Sequence, residues 1–399
     1  VFTRFPARLN EGFNKTLDRV VRPVVYRRGR SWSAFHVCGY TGLVLATWLA
    51  MGLALHQHLS FWTMFGIVLA AVLVFFGLAW LTRVLQGGES LTYYHHELTI
   101  LAVAAALAWV SGQPILPYLD ITILAIGLFL ACGRVGCLMV GCCHGRPFGW
   151  GVCYREEHAA AGFVRYLVGV RLFPVQALEA LWVAGVVLIG SLLVLDGRPP
   201  GTALAWAVVS YGMGRFLFEF LRGDAARPYY AGFSEPQWTS LVLILLVAAA
   251  ELGGILPRHS WHLGAAGLLA VAMIAVALNR RLRTGPRHRL SHPRHIQELA
   301  EVLERVSALA PAAAALASQN PAPGAVRVLS TSEGVQVSAT RIERASGAMI
   351  HYAFSFEDGT MNDRAARTLT RLILQLRRVG GSGEMIKGHQ GVYHLVLHA

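Results

Sequence analysis

Charge is scarce in this sequence. Only 14% of its 399 residues are charged, against roughly a quarter in an ordinary soluble protein, which argues against a water-soluble globule. Acidic residues are scarcer than basic ones, 22 against 35. The first 30 residues are polar and basic and lack an apolar h-region, so no cleavable signal peptide is expected. Cysteine is confined: five of the six (Cys132, Cys137, Cys142, Cys143 and Cys153) fall in one short stretch, with Cys38 apart. A disulfide framework is not expected of such a chain. A second C-x-x-C is also missing, and zinc sites usually draw on two close pairs of ligands. Cys137, Cys142, Cys143 and His144 therefore read first as small, polarizable packing residues beside a glycine-rich turn. Metal, redox and acylated-cysteine readings stay open at this point, and neither a metal nor a cofactor is expected.

What the chain has instead is apolar length. It is 55% hydrophobic with a mean hydropathy of +0.48. Apolar runs of about 18 residues or more read as bilayer-spanning helices. Eight are expected, near 35–56, 62–82, 98–112, 119–140, 175–195, 201–221, 237–256 and 262–278. The third is short, consistent with a tilt, a kink or a partly re-entrant segment. The fold class is accordingly mainly α, a polytopic helical membrane protein with about eight transmembrane helices and a small C-terminal α/β soluble domain.

The net charge of +13 does not point to nucleic acid, because the basic residues sit beside the spans. Arg19, Arg22, Arg27, Arg28 and Arg30 precede the first; Arg280, Arg281, Arg283, Arg287 and Arg289 follow the last. By the positive-inside rule both termini are expected in the cytoplasm. Such clusters also attract anionic headgroups.

Four regions follow. Residues 1–34 form a basic interfacial arm, in which Leu9, Phe13, Leu17, Val20 and Val21 recur at helical spacing, as in a helix lying on headgroups; a flexible basic tail is the alternative. Residues 35–278 are the transmembrane domain. Its longest internal loop, 142–174, is rich in Gly, Arg and aromatics, and a second polar loop, 222–236, begins Arg222-Gly223-Asp224. Residues 279–324 are a linker region, basic at first, helical over His295–Leu309 and Ala/Pro-rich over 310–324. Residues 325–399 are a small α/β domain, with strands expected at Val326–Ser332, Val335–Arg341, Met349–Phe356 and Gly391–His398 and a helix at Asp363–Val379. No catalytic motif stands out there.

Ionisable residues inside spans are costly and functional by default. Arg134 lies late in the fourth span, Glu179 early in the fifth three residues after Gln176, and Arg215 and Glu219 in the sixth; Asp120 opens the fourth. Arg215, Glu219 and Arg222 fall at i, i+4 and i+7, one face of one helix. Gly133 and Gly136 flank Arg134, so a ligand or a neighbouring helix can approach the backbone. Two guanidinium forks facing one cavity would grip a phosphate with paired hydrogen bonds. The alternative is an Arg–Glu ion pair that only locks helices together. His95, His96 and Glu97 sit just before the third span, where a histidine has the pKa of a general base; an interfacial polar patch is the competing reading. Tyr93 and Tyr94 suit an aromatic belt.

The segment Gly133-Arg134-Val135-Gly136-Cys137-Leu138-Met139-Val140-Gly141 resembles the signature of the prolipoprotein diacylglyceryl transferase family. So does the order of Phe173-Pro174-Val175-Gln176-Ala177-Leu178-Glu179, then Tyr211 through Asp224, then Gln237 opening a span. The resemblance covers about residues 60–256. It implies movement of the diacylglyceryl group of phosphatidylglycerol onto a cysteine thiol, with glycerol phosphate leaving. It implies catalytic roles for Arg134 and Arg215, which hold the phosphate and stabilise its charge as it departs. His95 or His96 would stand for the family's thiol-activating histidine. The expected substrate-binding residues are Gly133, Gly136, Cys137 and His144 from the signature region, Gln176 and Glu179 from the fifth span, and Tyr211, Glu219 and Arg222 from the sixth.

The departures are specific. The family's two signature asparagines are Cys137 and Val140 here, the histidine before Pro-x-Gln is Phe173, and the glycines after the thiol-activating histidine are replaced by Glu97-Leu98. A further span and a C-terminal domain are added. This pattern suits a divergent paralogue in which the donor, phosphatidylglycerol, is better specified than the acceptor, a protein thiol or another nucleophile. The family works at the outer face, whereas the charge count puts loop 142–174, with Arg146, Arg155, Arg165 and Arg171, on the cytoplasmic side. A phospholipid-dependent transferase is the leading reading. A non-catalytic phospholipid-binding or lipid-moving protein is the alternative from another class, and a sensor or scaffold working through residues 295–399 is a third.

Overall fold

The computed structural model describes residues 7–86, 93–225, 228–282, 289–310, 326–344, 347–359, 361–378, 383–389 and 391–398. The chain is a polytopic helical membrane protein carrying a small α/β domain. It opens with helix α1 (Ala7–Val20) and a hairpin of β1 (Val24–Arg27) and β2 (Arg30–Ser33). The apolar helices then follow as α2 (Ala34–His56), α3 (Phe61–Gln86), α4 (Tyr93–Val110) and α5 (Ile115–Val140). After a long loop with the short helix α6 (Glu156–Ala160) come α7 (Val175–Leu195), α8 (Thr202–Phe218), α9 (Glu235–Leu252) and α10 (Ser260–Leu282).

Six of these helices are long and apolar enough to cross a bilayer. The other two of the eight expected, α4 and α8, are shorter or interrupted by polar residues, yet both pack against α5 inside the bundle. The third span is one unbroken helix that starts earlier than expected. His95, His96 and Glu97 therefore lie in its first turns rather than ahead of it.

Helix α5 is the centre of the bundle. Half of its span is buried, and glycines let its neighbours come close, as small residues do where apolar packing replaces the hydrophobic effect. A Cβ on Gly127 would lie 2.7 Å from Val187 of α7, and one on Gly136 would meet Phe35 and Cys38 of α2 at 3.2 Å. Gly136 thus serves helix packing, whereas a Cβ on Gly133 would meet nothing within 4 Å. Asp120 is structural as well. Its carboxylate accepts from the N–H groups of Gly201 (2.7 Å) and Leu204 (2.6 Å), capping the otherwise unpaired start of α8.

The two polar loops and the chain ends gather at the end of the bundle where α5 finishes. Strand β3 (Pro147–Cys153) pairs with β4 (Arg171–Leu172), and α1 docks on this sheet. Phe13 meets Trp150 edge-on, Asn14 accepts from the Gly151 N–H, and Asp18 takes both terminal nitrogens of Arg171. The apolar stripe expected to lie on headgroups is partly used inside the protein, with Val21 buried and Leu17 packed against the same core. A small hairpin of β5 (Tyr229–Tyr230) and β6 (Phe233–Ser234) precedes α9.

The C-terminal region begins with α11 (Pro293–Ala308). Strands β7 (Val328–Ser330), β8 (Val335–Arg344), β9 (Gly347–Phe356), β10 (Glu384–Lys387) and β11 (Tyr393–His398) form one antiparallel sheet in the order β10-β11-β9-β8-β7, with α12 (Asp363–Leu376) between β9 and β10. Alternation puts Val335, Val337, Tyr352, Phe354, Tyr393 and Leu395 on the buried face. Strand β10 was not expected from sequence. This core is continuous with Tyr154, Phe163, Leu167 and Leu172 of the long loop, so domain, loop and α1 share one apolar interior. The expected linker over 310–324 lies mostly outside the described residues.

Because α1, the long loop and the C-terminal domain share that interior, they must lie on one side of the membrane. Epitope tags placed in α6 and at the C-terminus are expected to show the same accessibility to an impermeant protease in sealed vesicles. A tag at Gly253–Gly254, between α9 and α10, is expected to show the opposite. Opposite accessibility of the first two tags would contradict the fold.

Candidate functional site

The charged residues expected within the spans converge from three helices. Arg134 comes from the last turns of α5, Glu179 from the first turns of α7 and Arg215 from the end of α8. Arg134 Nε lies 3.1 Å and Arg215 Nη1 3.6 Å from the same atom, Glu179 Oε1. Two nitrogens held to one oxygen are no farther apart than those two lengths together, so a single anion can span both guanidiniums. Arg215 Nη2 also pairs with Glu219 Oε1 at 2.8 Å, and Ser234 Oγ donates to Glu219 Oε2 at 2.8 Å. Tyr211 donates weakly to Glu179 Oε1 at 3.4 Å.

All four charges are buried, at 7% exposure for Arg134, 6% for Arg215, 1% for Glu179 and 4% for Glu219. Each therefore depends on its partners rather than on water. Arg134 stays underused. Its Nε contact with Glu179 is an ion pair without hydrogen-bond alignment, and this buried Nε has no hydrogen-bond partner among the described residues. A planar guanidinium fork beside a second guanidinium has the chemistry to receive a tetrahedral oxyanion.

Arg222 departs from expectation. Helix α8 ends at Phe218, and the chain then turns, so Arg222 is not on the helical face shared by Arg215 and Glu219. It bridges to Gly145, and its guanidinium forks onto Asp224 at 2.8 and 3.0 Å. Gly223 makes that approach possible, since a Cβ there would lie 2.3 Å from the Gly145 carbonyl oxygen. Burial opposes the charge of Arg222, but Cys143 and Asp224 outweigh it and hold its pKa above the usual value. The two polar loops are knitted at this point. Gly223 N donates to His144 O, Arg146 N to Leu221 O, and Arg146 Nε to Arg222 O.

The remaining signature residues bound the same region. Gly141 adopts φ 88° and closes α5 with a left-handed cap, and Cys143 takes φ 55°, uncommon for a residue with a side chain. These bends bring the sulfur atoms of Cys137, Cys142 and Cys143 within 4.8 Å of one another. Cys143 is held well below the ordinary thiol range, first by hydrogen bonding with Cys137 and Cys142 and then by Arg222 and Arg134. His144 is buried, with Nδ1 3.0 Å from the Gly145 oxygen, and burial pushes its pKa down. Gln176 ties the loop to α7 by donating to the Cys142 carbonyl (2.9 Å) and the Tyr154 hydroxyl (3.2 Å).

The histidines stand elsewhere in the arrangement. His95 is exposed and faces Glu235, at the start of α9, at 3.7 Å. His96 is turned inward against the ring of Phe75. Sequence reasoning missed Tyr94, read as an aromatic-belt residue. It is buried, shares a hydrogen bond with Ser240 Oγ at 2.8 Å and lies beside Tyr211. It also missed Ser234, which orients Glu219 and forms a capping box with Gln237. The Ser-x-x-Gln spacing is visible in sequence and would have signalled that cap.

A model of the prolipoprotein diacylglyceryl transferase family matches residues 31–252, more than half of the chain. Three proteins similar to it are a phosphatidylglycerol–prolipoprotein diacylglyceryl transferase of Clostridium tetani, 29% identical over 33% of this chain and 51% of its own length; one of Dehalococcoides mccartyi, 31% identical over 32% of this chain and 47% of its own; and phosphatidylglycerol–prolipoprotein diacylglyceryl transferase 2 of Clostridium perfringens, 27% identical over 36% of this chain and 51% of its own. The chain spans about half the length of the curated relatives it matches.

Glu179 is the only described carboxylate within reach of both guanidiniums. Its replacement by Ala leaves two buried positive charges facing each other. The expected outcome is a loss of about 3–5 kcal/mol of stability, read as a large drop in the thermal unfolding midpoint in detergent. Glu179→Gln keeps the shape and should lose less.

Proposed function

The chain belongs to the prolipoprotein diacylglyceryl transferase family, and on that premise we propose that it transfers a diacylglyceryl or related group from phosphatidylglycerol to an acceptor nucleophile in the bacterial cytoplasmic membrane. The observation that carries this reading is the convergence of Arg134 and Arg215 on one oxygen of Glu179. The donor phosphate pairs with the guanidinium fork of Arg134 and shares Arg215. In this buried setting those charges act with little screening. When the acceptor attacks the glycerol carbon, the C–O bond to phosphate breaks and the electron pair leaves on glycerol phosphate. That monoester carries more charge than the diester did, so the two guanidiniums bind the departing group more tightly than the ground state and lower the barrier.

Glu179 keeps the site ready. It holds both arginines in register before the donor arrives, and Tyr211 and Glu219 fix the rotamers. The names of the relatives in Clostridium and Dehalococcoides supply the donor, phosphatidylglycerol, and suggest a prolipoprotein as the acceptor. The acceptor is the less specified partner, since His95 faces Glu235 and His96 lies against Phe75.

One observation favours the non-catalytic alternative. Arg134 and Arg215 are balanced by Glu179 and Glu219, as they would be in an ion-pair lock or a headgroup-binding site. The two readings separate in one assay. Purified protein in phosphatidylglycerol vesicles with a cysteine-containing acceptor is expected to release labelled glycerol phosphate. Arg134→Lys and Arg215→Lys, which keep charge but lose the fork, are expected to lower the rate by on the order of 10²-fold or more while unfolding normally. Unchanged release in both variants would leave the arginines a purely structural role.

A further inference from the structure

Cys137, Cys142 and Cys143 form the densest cluster of metal-binding side chains near the arginine site, and the mechanism above does not use it. Their sulfur atoms form a triangle, each within 4.8 Å of the others. All three are free thiols. Cys137 sits on the last turn of α5, and the left-handed residues Gly141 and Cys143 fold the following chain back over it. A tetrahedral ion with sulfur ligands at about 2.3 Å needs them roughly 3.8 Å apart, a spacing that falls inside the 4.8 Å within which these three atoms lie. No fourth His, Cys, Asp or Glu joins the group among the described residues. Three protein ligands with one position left over is the pattern of a reactive zinc site rather than a structural one.

The surroundings suit an anionic complex. Three thiolates around a divalent ion carry one net negative charge, and Arg134 and Arg222 both act on Cys143 electrostatically. The loop is also held in place: Gln176 Nε2 fixes the Cys142 carbonyl, and the knot between His144 and Gly223 anchors the next residue. Such second-layer support is what keeps ligands oriented toward a metal.

We propose that Cys137, Cys142 and Cys143 bind a zinc ion whose fourth position takes the acceptor thiol. The site deepens the transfer reading given above and rests on it for its role. An acceptor R–SH gives up its proton to solvent on coordination. Its sulfur then forms the S–C bond to the glycerol carbon as the C–O bond to phosphate breaks, with the electron pair leaving on glycerol phosphate. The thioether formed is a weak zinc ligand and departs. Thiol activation is thus supplied beside Arg134, where the donor phosphate binds, in a chain whose His95 and His96 lie against Glu235 and Phe75 instead.

The test uses the full-length chain purified under reducing conditions. Elemental analysis is expected to find about one zinc per chain. Cobalt added to the metal-stripped protein is expected to give the thiolate charge-transfer and d–d bands of a tetrahedral site. Cys142→Ser and Cys143→Ser are each expected to weaken binding by tenfold or more, whereas Cys153→Ser, outside the triangle, binds as wild type. Size-exclusion profiles confirm that the variants fold. A short peptide with one cysteine is expected to raise the charge-transfer intensity by about a third, from three thiolates to four. The absence of zinc and of a cobalt spectrum, or a disulfide within the triangle in the reduced protein, would overturn the site. A cobalt spectrum indifferent to the peptide would overturn its role. These readouts do not depend on turnover, so metal binding without glycerol phosphate release would refute the transfer reading and leave the site standing.

Discussion

One carboxylate organises the site. Glu179 receives Arg134 from α5 and Arg215 from α8 on a single oxygen, at 1% exposure. Neither arginine would tolerate that environment alone, because a charge taken out of water must be compensated at close range. The contact therefore fixes where three helices stand relative to one another. The glycines of α5 face its neighbours. Val187 of α7 and Phe35 of α2 approach at distances that a larger residue than Gly127 or Gly136 would block.

The polar end of the bundle extends the same logic outward. Arg222 with Asp224, Arg146 with the Arg222 carbonyl, and Gln176 with the Cys142 carbonyl tie the two loops to each other and to α7. Above them, Tyr154 and Leu172 of the long loop share an apolar core with Leu299 and Leu303 of α11 and with the C-terminal sheet. The added domain is thus packed onto the loop that carries the cysteines and His144. A partner pulling on that domain would act on the site through packed side chains rather than through a flexible tether.

Much of this was legible in sequence, for physical reasons. Apolar runs announce spans because a bilayer leaves the backbone no other structure, and Arg134, Glu179 and Arg215 stood out because charge inside a span is costly. The convergence on Glu179 was not legible, since the partner of Arg134 lies on another helix and nothing in local spacing reports it. Arg222 was misread for the opposite reason. Its i+7 spacing from Arg215 fits a helical face, but α8 stops at Phe218 and the turn redirects the chain onto Gly145. Strand β10 (Glu384–Lys387) is too short and polar to show alternation; it exists because it pairs with β11. Tyr94 looked like a headgroup-level aromatic because hydropathy carries no information about which way a side chain turns.

The departures from the family signature gain coherence from geometry. Two departures bear on the acceptor side of the resemblance: the position of one family asparagine is Cys137, and Glu97-Leu98 replace the family's glycines. Glu97 is buried beside Tyr211 in a pocket otherwise walled by aliphatic groups such as Val183 and Val187, so that segment has been rebuilt around a carboxyl group rather than around backbone approach. Cys137, for its part, faces Cys142 and Cys143 across a turn that needs two left-handed residues to close. A positive φ at a non-glycine residue persists only where the surrounding contacts over-determine it. Here those contacts are Gln176 on the Cys142 carbonyl and Gly223 on the His144 carbonyl, tethers to the helix that carries Glu179 and to the loop that carries Arg222. The substitution at Cys137 is therefore not an isolated loss of an amide. It belongs to a sulfur triangle whose backbone is braced from α7, the same helix that sets Glu179 between Arg134 and Arg215, so the cysteine turn and the charge cluster share one support.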